Sequence, residues 1–362
     1  MRFKVNRVSE SAELWQRCVE LVKEITQKGH RQISSDEASD FVLNLVDIES
    51  PKAFRRKHEE EKVISVALLK EYRPDLKSVC YATLVRTLSN MMFCIVLPDT
   101  QREMKGYSIT PEVGFTEFEY TPGKMFSYMY PIVSSHFVLR NRISEDLYLE
   151  ENQKIPEIEN IITHARELNE LGALPAPFPI SDFLDKATID HLYRLYQIRG
   201  LSYGNLSIRN ESFRTETTSF WMTARGVDKA KLKGAGQDIL LVDGYNASRN
   251  EMLISVPREH NPRIRVSVDA IEHFLIYREF PETGAIVHVH AWIEGIRSTT
   301  QVFPCGTREL AENVVDLLRA MPHPDRAVVG LKNHGITVTG PDINDIFERI
   351  RGNLNINVPM FT

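Results

Sequence analysis

The sequence predicts an α/β protein made of two domains. Segments with helical apolar spacing alternate along the chain with short β-rich runs, as expected for helices packed against sheets. The 362 residues exceed what one core usually supports, because single cores stop growing near about 250–300 residues. A stiff connector with three prolines lies in residues 171–181. We therefore expect an N-terminal domain over residues 1–175 and a second domain over residues 183–362.

The N-terminal domain is expected to have an α+β arrangement. Residues 10–28 place apolar side chains at helical spacing, and a charged helix is expected over residues 150–170. Residues 34–37 resemble a helix cap before a second apolar-periodic stretch that ends at Val46, which predicts another helix. Between about residues 78 and 143 the pattern changes to short β-rich runs. The role of this domain stays open.

The second domain is expected to alternate helices with strands. Apolar spacing and cap residues predict helices near residues 184–199, 267–279, 306–320 and 342–352. The run GAIVHVHA, residues 284–291, and the run AVVGL, residues 327–331, predict strands.

Charge and cysteine usage restrict the partner and the compartment. The formal net charge of -5 gives no overall basic field, so neither nucleic acid nor an anionic membrane is an expected partner. The four cysteines are scattered without a CxxC spacing, which indicates a reducing compartment. The first ten residues lack the apolar core of a signal peptide, and the longest apolar run, residues 91–97, is too short for a membrane span. We expect a cytoplasmic protein that binds a small molecule.

Two histidines in the run GAIVHVHA form the first candidate metal site. If this run is a strand, His288 and His290 project from the same face, about 6.6 Å apart along the backbone. Two imidazoles at that separation can converge on one ion, since neutral imidazole is a common ligand for zinc-like ions. A pair of core or cross-strand histidines is the alternative interpretation.

A third histidine, His334, lies in the sequence LKNHG, where a strand ends and a glycine allows the chain to turn. Alone it would be read as a turn histidine bonded to its own loop. Together with His288 and His290 it would complete a set of three imidazoles. Such a set leaves open positions for water or substrate oxygens, as in a catalytic rather than a structural site.

Asp269 is the acidic residue expected beside the histidines. The helix that it begins runs directly into the strand that carries His288 and His290, and His273 lies one turn later on the same face. A carboxylate beside the ion can act as a fourth ligand or as a base. The alternative is an aspartate that only complements the helix dipole.

At this point a series of short motifs resembles the class II aldolase/adducin family. The resemblance runs from about residue 183 to residue 352, nearly half of the chain. Its elements in order are residues 204–209 (GNLSIR), 222–226 (MTARG), 267–269 (SVD), 288–291 (HVHA), 305–310 (CGTREL) and 333–335 (NHG). Each motif is weak alone, but six in this order are specific.

The resemblance implies a central, mainly antiparallel β-sheet flanked by helices, and a divalent ion held by His288, His290 and His334. Zinc is expected first, with manganese, iron and cobalt as alternatives. In catalytic members the ion polarises the carbonyl and hydroxyl of the substrate and stabilises an enediolate, while a glutamate acts as base. Asp269 occupies that position and is one methylene shorter. Members commonly form cyclic tetramers, so a homo-oligomer is implied.

The resemblance also implies a pocket for the substrate's anionic group. The positions that match it are Gly204, Asn205, Thr223, Gly226 and Ser267. Two positions depart from the family pattern, because Arg225 replaces a serine or threonine and Val268 replaces the second serine. An arginine offers a planar fork for phosphate or carboxylate, so we include Arg225 among the anion-binding residues. A solvated loop charge is the alternative for Arg225.

A further departure concerns the proton donor of the aldolases, which is a tyrosine just ahead of the FGT-type segment. Residues 300–307 read TQVFPCGT and contain no tyrosine. Plain aldol cleavage is therefore less well supported than decarboxylation or another elimination. Cys305 in this segment is either a reactive thiol beside the cleft or a small packed residue.

Two classes of function remain. The first is a metal-dependent carbon–carbon lyase for a small sugar-phosphate-like or hydroxy-keto-acid-like substrate, with an epimerase or isomerase of the same family as a close variant. All of these reactions pass through a carbanion or enediolate that a Lewis acid stabilises. The second is an adducin-like module that kept the fold and lost catalysis. Three clustered histidines favour the enzyme, since a scaffold gains nothing from burying titratable rings.

Overall fold

A computed structural model describes most of the chain. The described residues are 1–34, 36–58, 60–97, 104–111, 114–150, 154–174, 184–187, 189–190, 203–212 and 218–359. They form two compact units, one mainly of residues 1–135 and one mainly of residues 136–178 and 190–359. In these ranges every helix is too short or too polar to cross a lipid bilayer.

The first unit contains a mixed seven-stranded sheet. Its strands are β1 (Arg2–Arg7), β2 (Arg31–Gln32), β3 (Phe41–Leu45), β4 (Lys62–Leu69), β5 (Met91–Val96), β6 (Lys105–Ile109) and β7 (Thr116–Glu119). Their order across the sheet is β2-β1-β3-β4-β5-β6-β7. The pairs from β2 to β5 are parallel, whereas β6 and β7 join antiparallel. The parallel pairing is the part of this domain that the sequence did not predict.

Three helices of the described chain lie within residues 1–135 of the first unit. They are α1 (Ala12–Gln27), α2 (Leu76–Arg86) and α3 (Pro122–Ser134). Helix α1 begins at Ser11, whose hydroxyl accepts a hydrogen bond from the Leu14 amide at 3.2 Å. Its apolar stripe, which includes Leu14 and Ile25, is buried as the spacing predicts.

The apolar stretch that ends at Val46 is a strand, so the predicted helix is wrong. Strand β3 lies between β1 and β4, and all five of its residues are buried. A strand covered on both faces has a nearly continuous apolar sequence. Over so few residues that sequence also satisfies helical spacing.

The second unit is built on an eight-stranded sheet. Its strands are β8 (Arg140–Ser144), β9 (Asn205–Arg209), β10 (Phe220–Thr223), β11 (Ile239–Asn246), β12 (Glu251–Ser255), β13 (Ala285–Val289), β14 (Val328–Leu331) and β15 (Gly335–Gly340). The order is β14-β15-β13-β9-β10-β11-β12-β8. All neighbours are antiparallel except β12 and β8. The expected mainly antiparallel sheet is therefore confirmed.

In the part of the second unit that the structure describes, four α-helices flank this sheet. They are α4 (Pro156–Glu170), α5 (Ala270–Glu279), α6 (Arg308–Arg319) and α7 (Ile343–Ile350). Helices α4 and α7 contact each other, as do α5 and α6. The helices predicted within residues 267–279, 306–320 and 342–352 are thus present. The connector from residue 175 and most of the helix expected at 184–199 lie outside the described residues.

The division into units differs from the predicted domain boundary at residues 175–183. Strand β8 pairs with β12 over five residues, and α4 buries Ile158, Ile161 and Leu168 in the core of the second sheet. The segment from residue 136 therefore belongs with the second unit. The sequence shows the connector that follows α4, but it does not show which sheet β8 joins.

Candidate metal centre

Strand β13 carries the first two histidines through the middle of the second sheet. It pairs with β9 on one side and β15 on the other, so that His288 lies opposite Asn205 and Thr337. The strand ends at Val289, and His290 follows directly. Both imidazoles are buried. Their placement on the central strand follows from the fully apolar run that precedes them.

The tight connection between β14 and β15 carries the third histidine. Asn333 adopts a left-handed conformation with φ of 61°, and the His334 amide donates to the Leu331 carbonyl at 3.0 Å. Asparagine tolerates this region better than most residues do. Because β15 pairs with β13, the turn places His334 beside the end of the strand that bears His288 and His290.

The three rings converge. The Nε2 atoms of His290 and His334 are 3.0 Å apart, and the ring centroids are separated by 4.6 Å for this pair. His288 lies 5.2 Å from His290 and 5.1 Å from His334 by ring centroids. One nitrogen from each ring falls within 4.8 Å of the others.

Hydrogen bonding and burial prepare the rings as neutral ligands. The Nδ1 of His288 donates to the Ile336 carbonyl at 3.1 Å, which leaves the lone pair on Nε2. Within the described part of the chain, His288 Nε2 and His290 Nδ1 are buried without a hydrogen-bond partner. Burial lowers the pKa of His288 to about 4 and that of His334 to about 3. It also lowers the pKa of His290 well below its usual value, and the neighbouring His334 adds to the shift.

This donor set fits a divalent metal ion. Metal ligands must be deprotonated, and three neutral imidazoles meet that requirement at pH 7. A buried nitrogen without a partner costs free energy unless something binds it. The orphaned nitrogen of His288 is therefore explained by an ion and unexplained by packing alone.

Asp269 lies at the same site. It occupies the position just before α5, but its side chain makes no hydrogen bond to the helix backbone. Instead its Oδ2 accepts from the Asn205 amide nitrogen at 2.6 Å, while Oδ1 is buried and, among the described residues, has no hydrogen-bond partner. A carboxylate oxygen of Asp269 lies within 4.8 Å of ligand atoms of His288 and Cys305. The structure thus brings Asp269 to the histidines rather than using it as a helix cap.

The expected anion-binding residues are placed on three segments. Gly204 has φ of 76°, and a Cβ there would lie 2.5 Å from the His288 carbonyl oxygen, so the turn before β9 packs closely against the strand that carries His288. Asn205 already donates to Asp269. Thr223 is buried at the end of β10, with its hydroxyl 3.4 Å from the Leu206 amide.

The remaining three expected residues lie on two neighbouring loops. The Arg225 amide donates to the Arg265 carbonyl at 2.8 Å, which sets Arg225 and Gly226 beside the chain leading to Ser267. The Arg225 side chain is exposed and Ser267 is half-buried. Their assignment as anion ligands stays a prediction.

Sequence reasoning missed a buried pair behind His288. The Thr337 hydroxyl donates to Glu272 Oε1 at 2.6 Å and lies 3.5 Å from His288 Nδ1. Burial, together with the nearby carboxylate of Asp269, raises the pKa of Glu272 to about 8, although the hydrogen bond from Thr337 opposes the shift. Because glutamate side chains are usually exposed to solvent, the sequence carried no signal for this buried contact.

Lys229 and Tyr203 were also missed. Lys229 is buried, and burial lowers its pKa to about 8 although the carboxylates of Asp269 and Asp228 oppose the shift. The ring of Tyr203 is centred 5.3 Å from that of His290. Tyr203 directly precedes the Gly204 turn, which is the one sequence signal that could have identified it.

His273 does not belong to the three-imidazole group among the described residues. Its Nδ1 lies 2.7 Å from the Ser207 hydroxyl, which in turn lies 2.9 Å from the Tyr277 hydroxyl. Burial lowers the pKa of His273 well below its usual value, and the neighbouring His288 adds to the shift. This residue supports the inner face of the sheet beside the site.

Comparison with known proteins finds a family match for part of the chain. Residues 187–300 match the sequence profile of the Class II Aldolase and Adducin N-terminal domain. These residues form part of a class II aldolase/adducin domain. The match includes Asp269, His288 and His290, whereas His334 lies beyond it and joins the site through the β13–β15 pairing. No curated protein matches the chain significantly.

Three solved structures are similar to about half of this chain at low sequence identity. YgbL of Escherichia coli, for which aldolase, epimerase and decarboxylase activities are suggested, has 16% identity and a TM-score of 0.34, with 53% of this chain and 82% of that chain covered. A sugar-phosphate aldolase of Thermotoga maritima has 15% identity and a TM-score of 0.32, with 52% and 89% covered. An aldolase II superfamily protein of Pseudomonas syringae has 14% identity and a TM-score of 0.33, with 55% and 73% covered.

Proposed function

We propose that the second unit is a metal-dependent lyase of class II aldolase type that acts on a small anionic, oxygenated substrate. The observation that carries the proposal is the convergence of three buried, neutral imidazoles, two of which have a ring nitrogen lacking a hydrogen-bond partner in the described chain. Membership of the class II aldolase/adducin family supports a small-molecule substrate.

His288, His290 and His334 would hold the ion. We place zinc first, because neutral imidazoles suit it, with manganese, iron and cobalt as competitors. When bound, the ion supplies a Lewis acid that polarises substrate oxygens next to the carbon that loses a proton or a bond. His288 is kept in the required tautomer by the Ile336 carbonyl.

Asp269 is the proposed base. The Asn205 amide holds Oδ2, so that Oδ1 keeps a fixed position and an available lone pair. A buried carboxylate with one free oxygen can accept a proton from a substrate hydroxyl or carbon and return it in a later step. The carboxylate of Asp269 also acts on the buried Lys229, because it raises the pKa of that amine and so favours the ammonium form of Lys229.

Our proposal for the bond that is broken rests on the chemistry that the candidate reactions share. Aldol cleavage, decarboxylation and elimination all develop negative charge beside a substrate oxygen, and epimerisation through the same species is the close variant. Tyr203 is our candidate for the proton donor, since its ring stands beside His290 and residues 300–307 contain no tyrosine. Arg225, exposed on the loop next to Ser267, is proposed to meet the substrate's anionic group.

A non-catalytic assembly module is the alternative, and the buried orphan atoms count against it. An unsatisfied buried polar group costs about 1–3 kcal/mol. The site holds such atoms on Asn205, Asp269, His288 and His290 within the described ranges. A scaffold would gain nothing from keeping them together.

Metal analysis of protein purified without chelators tests the proposal. We expect one divalent ion per chain, loss of that ion in His290→Ala, and turnover of at least one member of a panel of sugar phosphates and hydroxy-keto acids by the wild type only. The proposed enzymatic function would be rejected if the wild-type protein is purified without metal and does not bind zinc on titration. The non-catalytic assembly module would then be the remaining hypothesis. Size measurement on the same sample tests the proposed homo-oligomer.

A further inference from the structure

Cys305 lies at the metal centre rather than in the apolar core. Its Sγ is 3.0 Å from His334 Nε2 and 3.7 Å from His334 Nδ1. The side chain is buried. A thiol that only filled space would be expected against hydrocarbon, whereas this one contacts the nitrogen that points into the site.

A second group of possible ligand atoms overlaps the three histidines. The sulfur of Cys305, a carboxylate oxygen of Asp269 and a ring nitrogen of His288 lie within 4.8 Å of one another. His288 belongs to both groups, and its Nε2 is buried without a hydrogen-bond partner in the described chain. The unpartnered nitrogen of His288 and the sulfur of Cys305 therefore flank the same space.

The turn that carries Cys305 is fixed from both sides. Gly306 has φ of 74°, and a Cβ there would lie 2.7 Å from Cβ of Val268, next to Asp269. The Gly306 carbonyl accepts from the Val138 amide at 2.8 Å. The Thr307 hydroxyl donates to the Pro304 carbonyl at 2.7 Å. The sulfur is thus presented by a rigid turn, and the departure from the family at Val268 lies in contact with it.

We propose that Cys305 is a fourth protein donor to the ion, bound as a thiolate beside His288, His290 and His334. The inference rests on the proposed metal centre. As the sulfur–metal bond forms, the thiol proton leaves to solvent, so no oxidant or reductant is needed. A thiolate makes the donor set softer, which favours zinc or cobalt over manganese. A Cys–His pair also occurs in thiol nucleophiles, but the orphaned His288 nitrogen favours an ion.

Cobalt substitution of the full chain tests the thiolate directly. Cobalt(II) bound to thiolate shows a near-ultraviolet sulfur-to-cobalt charge-transfer band in addition to visible d–d bands. We expect both in the wild type and in Cys80→Ala, a control that removes a thiol of the first unit. Cys305→Ser should keep d–d bands and lose the charge-transfer band.

Two outcomes would overturn the inference, and they are distinguishable. Wild-type d–d bands without charge transfer would exclude the thiolate and leave the three-histidine centre standing. Absence of cobalt and zinc binding would reject both the thiolate and the proposed function. The wild-type spectrum decides even where Cys305→Ser fails to fold. Where it folds, competition titration should show zinc affinity reduced by about 10–100-fold, with the preference for zinc over manganese reduced as well.

Discussion

The two units treat buried polar groups differently. In the first unit such groups form local pairs, as in Lys4 with Glu61 at 3.7 Å and Ser65 with Ser89 at 2.7 Å. Two of its orphaned atoms within the described ranges lie on separate elements, Arg17 Nε on α1 and the Tyr120 hydroxyl after β7. In the second unit, five of the orphaned atoms found among the described residues lie on β9, at or near the start of α5 and at the end of β13, on Asn205, Asp269, His273, His288 and His290, whereas Glu251 Oε1 and Thr283 Oγ1 lie on other segments.

The contrast distinguishes buried polar groups that stabilise the fold from buried polar groups that are proposed to bind a ligand. Buried polar atoms that serve the fold are nearly always paired, because an unmade hydrogen bond is costly. A cluster of unmade bonds in one place persists when a ligand completes them. In the first unit, buried polar groups are therefore mainly paired in ways that stabilise the fold. In the second unit, the cluster of unpaired atoms marks the place where a ligand is proposed to bind.

The largest expected effect comes from cutting the chain at the two candidate boundaries. A fragment that starts at residue 136 keeps β8 and α4, whereas a fragment that starts at residue 173 loses both. Burial of Ile158, Ile161 and Leu168 contributes about 1.5–3 kcal/mol each, against a total stability of about 5–15 kcal/mol. We expect the longer fragment to fold and bind zinc and the shorter one to be unfolded. Circular dichroism and zinc titration check this, and a folded shorter fragment would restore the boundary at 175–183.

The next effect is catalytic. Asp269→Asn keeps the size of the side chain and removes the base, so turnover should fall by about 10²–10⁴-fold while the ion stays bound. Asp316→Asn, an exposed position on α6, is the matched control and should leave turnover unchanged. Metal loss in Asp269→Asn would show that the carboxylate is a ligand rather than a base.

A smaller effect is expected from the hydroxyl behind His288. Thr337→Val leaves Glu272 Oε1 without its donor and loosens the support of the imidazole, so zinc affinity should fall by about 10–100-fold. Thr339→Val removes a hydroxyl two residues along β15 that bonds Pro324 and Ala327, away from the site. That control should lose stability without losing zinc affinity. Equal affinities for the two variants would contradict a positioning role.

The smallest effect on the metal centre should come from the first unit. Asn44 is fully buried and donates to Ser65 at 3.3 Å and to the Lys52 carbonyl at 3.1 Å. Asn44→Ala should lower the free energy of unfolding by about 1–3 kcal/mol. Zinc affinity should stay the same. A change in zinc affinity would mean that the polar network of the first unit is not purely structural.

The sequence predicts the second unit much better than the first. The helices near α5, α6 and α7, and the strand that carries His288, follow from strong periodicity bounded by turns. The parallel order of the first sheet is set by contacts between distant segments, which local patterns do not encode. For the same reason the run ending at Val46 is misread as a helix.

At the candidate site, the sequence identifies residues that belong to recognisable motifs. It misses residues that are notable only because the fold buries them. The convergence of His288, His290 and His334 follows from strand alternation and one turn. Glu272 and Lys229 look like ordinary surface charges in the sequence. Only the packing of α5 and the short helix Lys229–Lys231 shows that both are buried.

Gly204 has a consequence for reading mutational scans of this chain. The position carries no side chain and no chemistry, yet an added methyl group would stand 2.5 Å from the carbonyl oxygen of His288. Any replacement must push the backbone at position 204 away from the backbone of His288. It would therefore move a proposed metal ligand without replacing it. A screen scored by activity would find replacements of Gly204 as damaging as replacements of the three histidines. The cause would be the close approach of two backbone segments rather than the loss of a functional group.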